Sequence, residues 1–164
     1  MSHLEVIHHD GYDPAMNSVF VPAIKIASGQ LVFISGVTGA PVYHDHPHRP
    51  EVFDSIPLDA ASQARLAYEH LAQALTAAGC VPADVVSLTR FLTHIAEDQD
   101  AINAVQAAFF AGHLPTSTTV EVKRLATDPR LRLEIQAIAV APEGRVLVGS
   151  ESSSNAERRT RGSV

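Results

Sequence analysis

The stretch PTSTTVEVKRLATDPRLRLEIQAIAVAP, residues 115–142, decides the fold of this 164-residue chain. Its first part, residues 116–125, is dense in threonine and valine, which favour extended backbone. Its second part, residues 131–141, alternates apolar side chains with others at the period of two that indicates a β-strand. The connecting residues contain Asp128-Pro129, a pair typical of turns. The pattern therefore predicts a hairpin-like pair of strands joined by a short turn.

The second of these strands carries an acidic residue inside the most apolar run of the sequence. One face presents Leu133, Ile135, Ala137 and Ala139, and the other presents Glu134, Gln136, Ile138 and Val140. A carboxylate among such neighbours either reaches solvent through a cleft or is held there for chemistry. Glu134 is therefore the first candidate for a functional residue.

Length and composition restrict the class of protein. A chain of 164 residues with 46% hydrophobic and 18% charged residues is typical of one globular domain. The formal charge of −6 offers no basic face for nucleic acid. The single cysteine, Cys80, fits a reducing cytosol, and no apolar run approaches the roughly 20 residues that cross a bilayer. We therefore expect a cytoplasmic protein without a membrane or nucleic-acid partner.

Six further elements precede the two strands. Apolar periodicity and turn residues predict strands at residues 4–8, 19–27, 31–35 and 85–92, and helices at 59–79 and 98–111. The turn Ser28-Gly29-Gln30 predicts that the second and third strands form a tight hairpin. Asp59 is suited to cap the first helix, and Gly79 is suited to end it. The element order is β-β-β-α-β-α-β-β.

This order predicts an α+β fold in which two helices pack on one face of a mixed sheet. The opposite sheet face carries apolar residues that need a cover, namely Val120, Val122, Ile138 and Val140. Another copy of the chain is the simplest cover, so we expect an obligate homo-oligomer. Residues 1–145 form a single domain in this interpretation, and residues 146–164 form a mobile tail.

Four segments in this order resemble the Rid family, also called the YjgF family. They are QARLAYEHLAQALTAAG, DVVSLTRFL, INAVQAAFF and PTSTTVEVKRLA with LEIQAIAV, and the resemblance spans residues 19–141. It implies a chorismate-mutase-like fold and a homotrimer with its sites in clefts between subunits. It also implies an enzyme that hydrolyses reactive enamines and imines, such as 2-aminoacrylate, to ketoacids and ammonia. We expect no cofactor.

The resemblance assigns site residues position by position. Glu134 matches the glutamate that positions the attacking water, and Asn103 matches an asparagine of the second helix. Phe20 stands in place of a tyrosine, Thr119 in place of a cysteine, and Ser117 in place of the arginine that clamps the substrate carboxylate. The substrate-binding candidates in these segments are Phe20, Asn103, Ser117, Thr118 and Thr119.

The loss of the arginine limits what the site can hold. An arginine fork makes two charge-assisted hydrogen bonds to a carboxylate, and such bonds are worth roughly 1.5–3 kcal/mol each. Ser117 offers only a neutral hydroxyl. Three explanations stay open: the substrate lacks the carboxylate, another cation binds it, or the chain no longer deaminates imino acids. The candidate cations are Arg49, Lys123, Arg124 and Arg132.

Histidines supply the remaining candidates. The loop YHDHPH holds three imidazoles and a carboxylate, which are ligand types that zinc binds. Because the spacing matches no established metal signature, we predict no metal site. We expect His44, His46 or His48 to line the mouth of the cleft, with a plain surface loop as the alternative. His113, just before the key strand, is a further substrate-binding candidate, whereas His70 is interpreted as a structural histidine.

The leading interpretation is a homotrimeric enzyme that hydrolyses, or otherwise processes, an imine or enamine lacking the usual carboxylate handle. Glu134 orients water and moves its proton in this interpretation, which is worth about 10²–10⁴-fold in rate. The structural alternative is that Glu134 only pairs with a basic residue across the trimer. Two other functions stay open: a pathway-specific tailoring enzyme for dehydration, tautomerisation or cyclisation, and a trimer that binds a ligand or regulates without turnover.

Overall fold

The computed structural model describes residues 2–8, 19–42, 47 and 49–145, and the predicted element order is confirmed in it. The strands are β1 (Leu4–Ile7), β2 (Ala23–Ile26), β3 (Gln30–Thr38), β4 (Val85–Leu92), β5 (Thr116–Glu121) and β6 (Leu133–Ala141). The helices are α1 (Ala60–Ala77) and α2 (Ile95–Phe110), with short 3-10 turns at Pro50–Phe53 and Pro82–Asp84. None of the helices in these ranges is long and apolar enough to cross a membrane. The predicted tail, residues 146–164, lies outside the described residues.

The main sheet has the strand order β3-β6-β4-β5, so the predicted hairpin-like pairing of β5 with β6 is wrong. β6 pairs antiparallel with both β3 and β4, and β4 pairs parallel with β5. Burial explains this order, since Leu133 and Ile135 of β6 are fully buried and belong in the middle of the sheet. β5 is rich in hydroxyl side chains and takes the edge, where backbone groups meet water. The sheet is mixed, as predicted.

The predicted hairpin between the second and third strands is also wrong. β2 pairs with β1 in a separate two-stranded sheet, whereas β3 pairs with β6. The sharp turn itself is confirmed, because Gly29 has a φ of +111° and a Cβ there would lie 2.6 Å from the Ala141 carbonyl oxygen. β2 begins only after Pro22, which has no N–H to donate to a neighbouring strand. The chain therefore changes sheets at this turn.

The N-terminus of one helix is capped by a neighbouring residue, and that of the other by a residue from a distant strand. Asp59 accepts a hydrogen bond from the Ser62 amide at 2.8 Å, which confirms the predicted start of α1, and Gly79 follows its end with a φ of +80°. α2 begins at Ile95, ahead of the predicted residue 98, because the Glu121 carboxylate of β5 accepts from the Ile95 amide at 2.8 Å. A cap supplied by a distant strand leaves no local sequence signal.

The helices cover one face of the main sheet and leave the other face apolar. The covered face contains the predicted β6 residues Leu133, Ile135, Ala137 and Ala139, each at most 1% exposed. On the opposite face Phe33 is 74% exposed and Val120 is 40% exposed. Val140 is buried there, where His3 Nε2 lies 3.2 Å from the Val140 carbonyl oxygen. The predicted α+β layers are confirmed, and the open apolar face is the surface on which we expect a second copy.

Candidate functional site

Glu134 projects from β6 on the sheet face opposite the helices and packs against β3. Its carboxylate lies over Gly36, so that a Cβ atom built at position 36 would overlap the carboxylate oxygen and stand 2.8 Å from the Cδ atom. A register shift between Ile34 and Val37 places Gly36 at this point of β3. The glycine therefore leaves room for the acidic side chain, which is half-buried.

Glu134 lines an open cavity of about 390 Å³ at the β3 edge of the sheet. Polar side chains from three other regions also line it: Thr38 at the end of β3, His70 and Gln73 on α1, and Thr127 before β6. Within the described part of the chain, the Glu134 carboxylate has no ion-pair partner. The cavity therefore presents an unpaired acid beside groups that can form hydrogen bonds to a small molecule.

His70 serves the fold and also reaches this cavity. Its Nδ1 atom lies 2.8 Å from the Thr38 carbonyl oxygen, which confirms the predicted structural role. Because a carbonyl oxygen only accepts, Nδ1 carries the hydrogen, and Nε2 is the ring nitrogen left for other contacts. The position of His70 near Glu134 was not predicted. The available signal was its helical spacing, which puts it at the margin of the buried stripe that contains Ala67 and Leu71.

A second polar cluster surrounds Arg90 on the helix side of the sheet. Arg90 lies in β4 and is 3% exposed. Its Nε and Nη2 atoms donate to the Thr119 hydroxyl at 2.9 and 2.7 Å, and its Nη1 atom donates to the Asn103 amide oxygen at 2.8 Å. The structure thus joins two predicted site residues through a third that was not predicted. The signal for it was a charged residue on the same strand face as the buried Leu88 and Leu92.

No ion pair joins Arg90 to a carboxylate in the part of the chain that the structure describes. Among the described residues its partners are the Thr119 and Asn103 side chains and Tyr68, all of them neutral. Burial lowers the pKa of Arg90 and raises the pKa of Tyr68, but an arginine stays protonated in proteins. Ser117 lies one pleat from Thr119 on the same face, and its hydroxyl is buried with no hydrogen-bond partner in the described ranges. We call these residues, Arg90, Asn103, Ser117 and Thr119, the Arg90 cluster.

The other described candidates differ in exposure and in the elements that hold them. Phe20 is 40% exposed, in a segment held to α2 by a 3.0 Å hydrogen bond to the Val19 carbonyl oxygen. His113 Nε2 lies 2.6 Å from the Val85 carbonyl oxygen, so the backbone of β4 fixes that ring. Thr118 is exposed on the sheet face that points away from the helices. The structure therefore separates Thr118 from the Arg90 cluster.

Glu134 and the Arg90 cluster lie on opposite faces of the sheet within one chain. Arg90 stands beside Ile135 of β6 and Thr119 of β5 in the strand register, whereas Glu134 pairs with Phe91. Because successive strand residues point to alternate faces, one bound substrate cannot contact both groups of the same chain. The predicted site residues are therefore divided between the two faces of the sheet in a single chain.

The four cations that the sequence offered for the substrate carboxylate are not part of the Arg90 cluster. Arg132 is already engaged by the Asp98 carboxylate at 2.7 and 2.9 Å. Arg124 Nε donates to the Leu125 carbonyl oxygen at 3.3 Å, and Arg49 and Lys123 are exposed. Among the described residues, Arg90 is therefore the buried cation that contacts predicted substrate-binding residues.

The histidine loop was a further candidate, and His44, His46 and His48 lie outside the described residues. Within the ranges that the structure describes, no group of three His, Cys, Asp or Glu side chains is arranged to hold a metal ion. The cleft-lining role of the loop stays a prediction.

Known proteins similar to this chain are found by sequence and by fold. The model of the Endoribonuclease L-PSP family matches residues 12–141. The 2-iminobutanoate/2-iminopropanoate deaminase of Escherichia coli K12 is 38% identical over 130 residues, which are 77% of this chain and 91% of the relative. The crystal structure of the Rid-family protein YyfB from Yersinia pestis is 26% identical, with a TM-score of 0.69 over 85% of this chain and 99% of the other. E. coli TdcF with bound serine is 32% identical, with a TM-score of 0.55 over 83% of this chain and 98% of the other.

Proposed function

Because this chain belongs to the Endoribonuclease L-PSP family, in which the Rid (YjgF) proteins are grouped, we propose that it hydrolyses a reactive imine or enamine to a carbonyl compound and ammonia. The name of the E. coli deaminase supports a deaminase-like enzyme at the level of the family. The observation that carries the proposal is the half-buried Glu134 carboxylate, which faces a cavity of about 390 Å³ without an ion-pair partner among the described residues. The formal charge of −6 gives no support to an RNA substrate.

The reaction needs a positioned water and a group that moves protons. Glu134 takes a proton from the water as the oxygen attacks the imine carbon, and returns it to the nitrogen to give a carbinolamine. In the second half of the reaction, Glu134 takes the proton from the carbinolamine hydroxyl and passes it to the nitrogen. The C–N bond then breaks, ammonia leaves and the carbonyl forms. An enamine enters the same sequence after a proton is added to its carbon. Acid–base help of this kind is worth about 10²–10⁴-fold in rate.

The assembled form of the site is part of the proposal. A homotrimer, as the family resemblance implies, sets Glu134 of one copy opposite the Arg90 cluster of the next. Two observations support such an assembly. Glu134 and the cluster lie on opposite sheet faces of one chain, and Phe33 on the open face is 74% exposed. An exposed apolar sheet face of this kind is stabilised when another subunit covers it.

Glu134→Gln tests the proposed reaction. The substrate is 2-iminobutanoate, formed in the cuvette from 2-aminobutanoate by an amino-acid oxidase, and its decay is followed by trapping with semicarbazide. The amide keeps the shape of the side chain but cannot accept a proton, so the enzymatic rate should fall by roughly 10²–10⁴-fold. The oligomeric state, measured by light scattering, should not change.

The matched control is Glu69→Gln, the same chemical change at an exposed position one residue from His70. This variant should keep the wild-type rate. A Glu134→Gln protein as fast as the wild type would show that Glu134 is not the proton carrier. A wild-type protein that binds the corresponding keto acid but does not speed imine decay would favour the non-catalytic alternative.

A further inference from the structure

Arg90 places a positive charge in the interior, and no carboxylate among the described residues pairs with it. The residue is 3% exposed, and every partner that it has in the described ranges is neutral. Burying an unpaired charge is unfavourable. Buried charged groups in unusual surroundings therefore concentrate at functional sites, where the charge has a task.

The guanidinium also has donors to spare. Two hydrogen bonds to Thr119, one to Asn103 and an interaction with Tyr68 hold it, and an arginine has more N–H groups than these four contacts use. The Ser117 hydroxyl nearby is buried with no partner in the described part of the chain. Since buried polar groups are nearly always paired, a cation with unused donors beside an unpaired hydroxyl is suited to bind an anion. A carboxylate is the anion whose two oxygens match the planar guanidinium.

We propose that Arg90 binds the carboxylate of the substrate, with Ser117 as a neutral partner, and that the substrate is therefore a 2-imino acid or its enamine tautomer. Arg90 replaces, from β4, the arginine that the family resemblance expects at position 117 of β5. The two positions are close, because Arg90 pairs with Thr119 and Leu88 pairs with Ser117 in the parallel register. The reaction of this substrate rests on the proposed function, whereas the anion-binding role of Arg90 does not.

A substrate carboxylate can bind Arg90 when its charge-assisted hydrogen bonds replace the neutral hydrogen bonds that the guanidinium makes within the protein. Asn103 and Thr119, which contact the guanidinium, are half-buried, and β5 is the edge strand of the sheet. Hydrogen bonds between arginine and a carboxylate are roughly twice as strong as neutral ones. A carboxylate that enters between α2 and β5 therefore competes with Asn103 and Thr119 for Arg90, and leaves these two side chains available to the rest of the substrate.

The competing interpretation is that Arg90 only ties β5 to α2. The two interpretations differ in what they predict for ligands. A purely structural arginine gives the protein no preference for a charged ligand over a neutral one of the same shape. An anion-binding arginine gives such a preference, and the preference disappears with the guanidinium.

Two matched probes measure this preference: 2-oxobutanoate, and its primary amide, 2-oxobutanamide, which has nearly the same shape without the charge. Their affinities are compared by isothermal titration calorimetry on the full-length protein. The wild type should bind the acid more tightly than the amide. Arg90→Met should weaken binding of the acid by roughly 10- to 100-fold and leave binding of the amide unchanged. Arg90→Lys, which keeps the charge but loses the planar fork, should bind the acid with an affinity between those of the wild type and Arg90→Met.

Arg65→Met is the control, because it removes the same charge from an exposed position on α1, and it should leave both affinities unchanged. An Arg90→Met protein that keeps the wild-type preference for the acid overturns the proposal, as does a wild type without that preference. If neither Arg90 variant folds, the crystal structure of the wild type with 2-oxobutanoate decides. A carboxylate oxygen within about 3.2 Å of the Arg90 guanidinium supports the proposal, and a carboxylate bound elsewhere, or none at saturation, overturns it.

Glu134→Gln separates this proposal from the proposed reaction. The keto acid probe is bound and not turned over, so the variant should keep the preference for the acid even when it has lost hydrolysis. A Glu134→Gln protein with full hydrolytic activity would defeat the reaction mechanism and leave Arg90 as an anion-binding residue. In the reverse result, Glu134→Gln abolishes hydrolysis but Arg90→Met does not change binding. That result would contradict only the proposal that Arg90 binds the substrate carboxylate.

Discussion

The carboxylate of Glu134 occupies the space that a side chain at position 36 would fill, so the acid on β6 and the glycine on β3 fit each other directly. This contact holds Glu134 at the wall of the cavity that His70 and Thr38 also line. Because Gly36 on β3 has no side chain, the carboxylate of Glu134 on β6, the candidate proton carrier, can occupy this position.

Gly36→Ala should disturb this contact. The added methyl group overlaps the Glu134 carboxylate, which is the flexible end of a half-buried side chain and can move. The free energy of unfolding should therefore fall by about 1 kcal/mol, the low end of the cost of overpacking. The displaced carboxylate should also slow imine hydrolysis. Urea denaturation and the imine-decay assay measure the two effects.

A double-mutant cycle with Glu134→Ala provides the control. When the carboxylate is absent, the methyl group has nothing to overlap, so Gly36→Ala should cost little in that background. An equal loss of stability in both backgrounds would mean that the methyl group meets something other than Glu134.

The open sheet face yields a prediction about assembly. Phe33 and Leu58 are almost equally exposed, at 74% and 77%, but Phe33 lies on the uncovered sheet face and Leu58 lies in the segment before α1. Phe33→Glu should dissociate the proposed homotrimer, because a charge buried between apolar subunit faces is strongly unfavourable. Light scattering should then report monomers that keep the wild-type circular dichroism.

Leu58→Glu should remain assembled. If both variants stayed trimeric, or if both dissociated, the open face of the main sheet would not be the subunit interface.

Much of the fold follows from local patterns. The alternation in β6 sets which residues face the helices, and the Asp59 cap and Gly79 set the bounds of α1. These features depend on neighbours in the sequence, so the sequence shows them. The start of α2 depends instead on Glu121, a residue from another element, and no local pattern predicts it.

The strand order and the Arg90 cluster needed the structure for the same reason. β4 separates β5 from β6, although the short link between them indicated a hairpin. The interest of Arg90 as a candidate residue becomes apparent only in the structure, where Asn103 of α2 and Thr119 of β5 both contact it. Candidate residues could therefore be predicted one at a time, but their division between two sheet faces could not.

The connection between β5 and β6 yields a prediction about pH. Arg130 donates to the Asp128 carboxylate at 2.9 and 3.0 Å, and these hydrogen bonds hold the pKa of Asp128 below its usual value. A carboxyl with a lowered folded-state pKa stabilises the fold above its unfolded-state pKa, and the stabilisation disappears as the pH falls through the folded-state pKa. Stability from this pair is therefore present at neutral pH and lost in acid.

Asp128→Asn should reveal this dependence. Since Arg130 is partly exposed, with a side-chain exposure of 33%, the loss at about pH 7 should be roughly 1–2 kcal/mol. The difference in unfolding free energy between wild type and variant, measured in urea, should shrink toward about pH 2. A difference that stayed constant with pH would rule out the ion pair as its source.

The central claim is that Glu134 of one copy and the Arg90 cluster of another form one site, and mixed oligomers test it most directly. Glu134→Gln and Asn103→Leu are each expected to be inactive alone. When differently tagged copies are unfolded together, refolded and purified as mixed trimers, one interface of each trimer joins the two intact parts, so about one third of the sites should be restored. Recovered imine hydrolysis near that level is the predicted result. Mixed oligomers that stay as inactive as the two parent variants would contradict the claim.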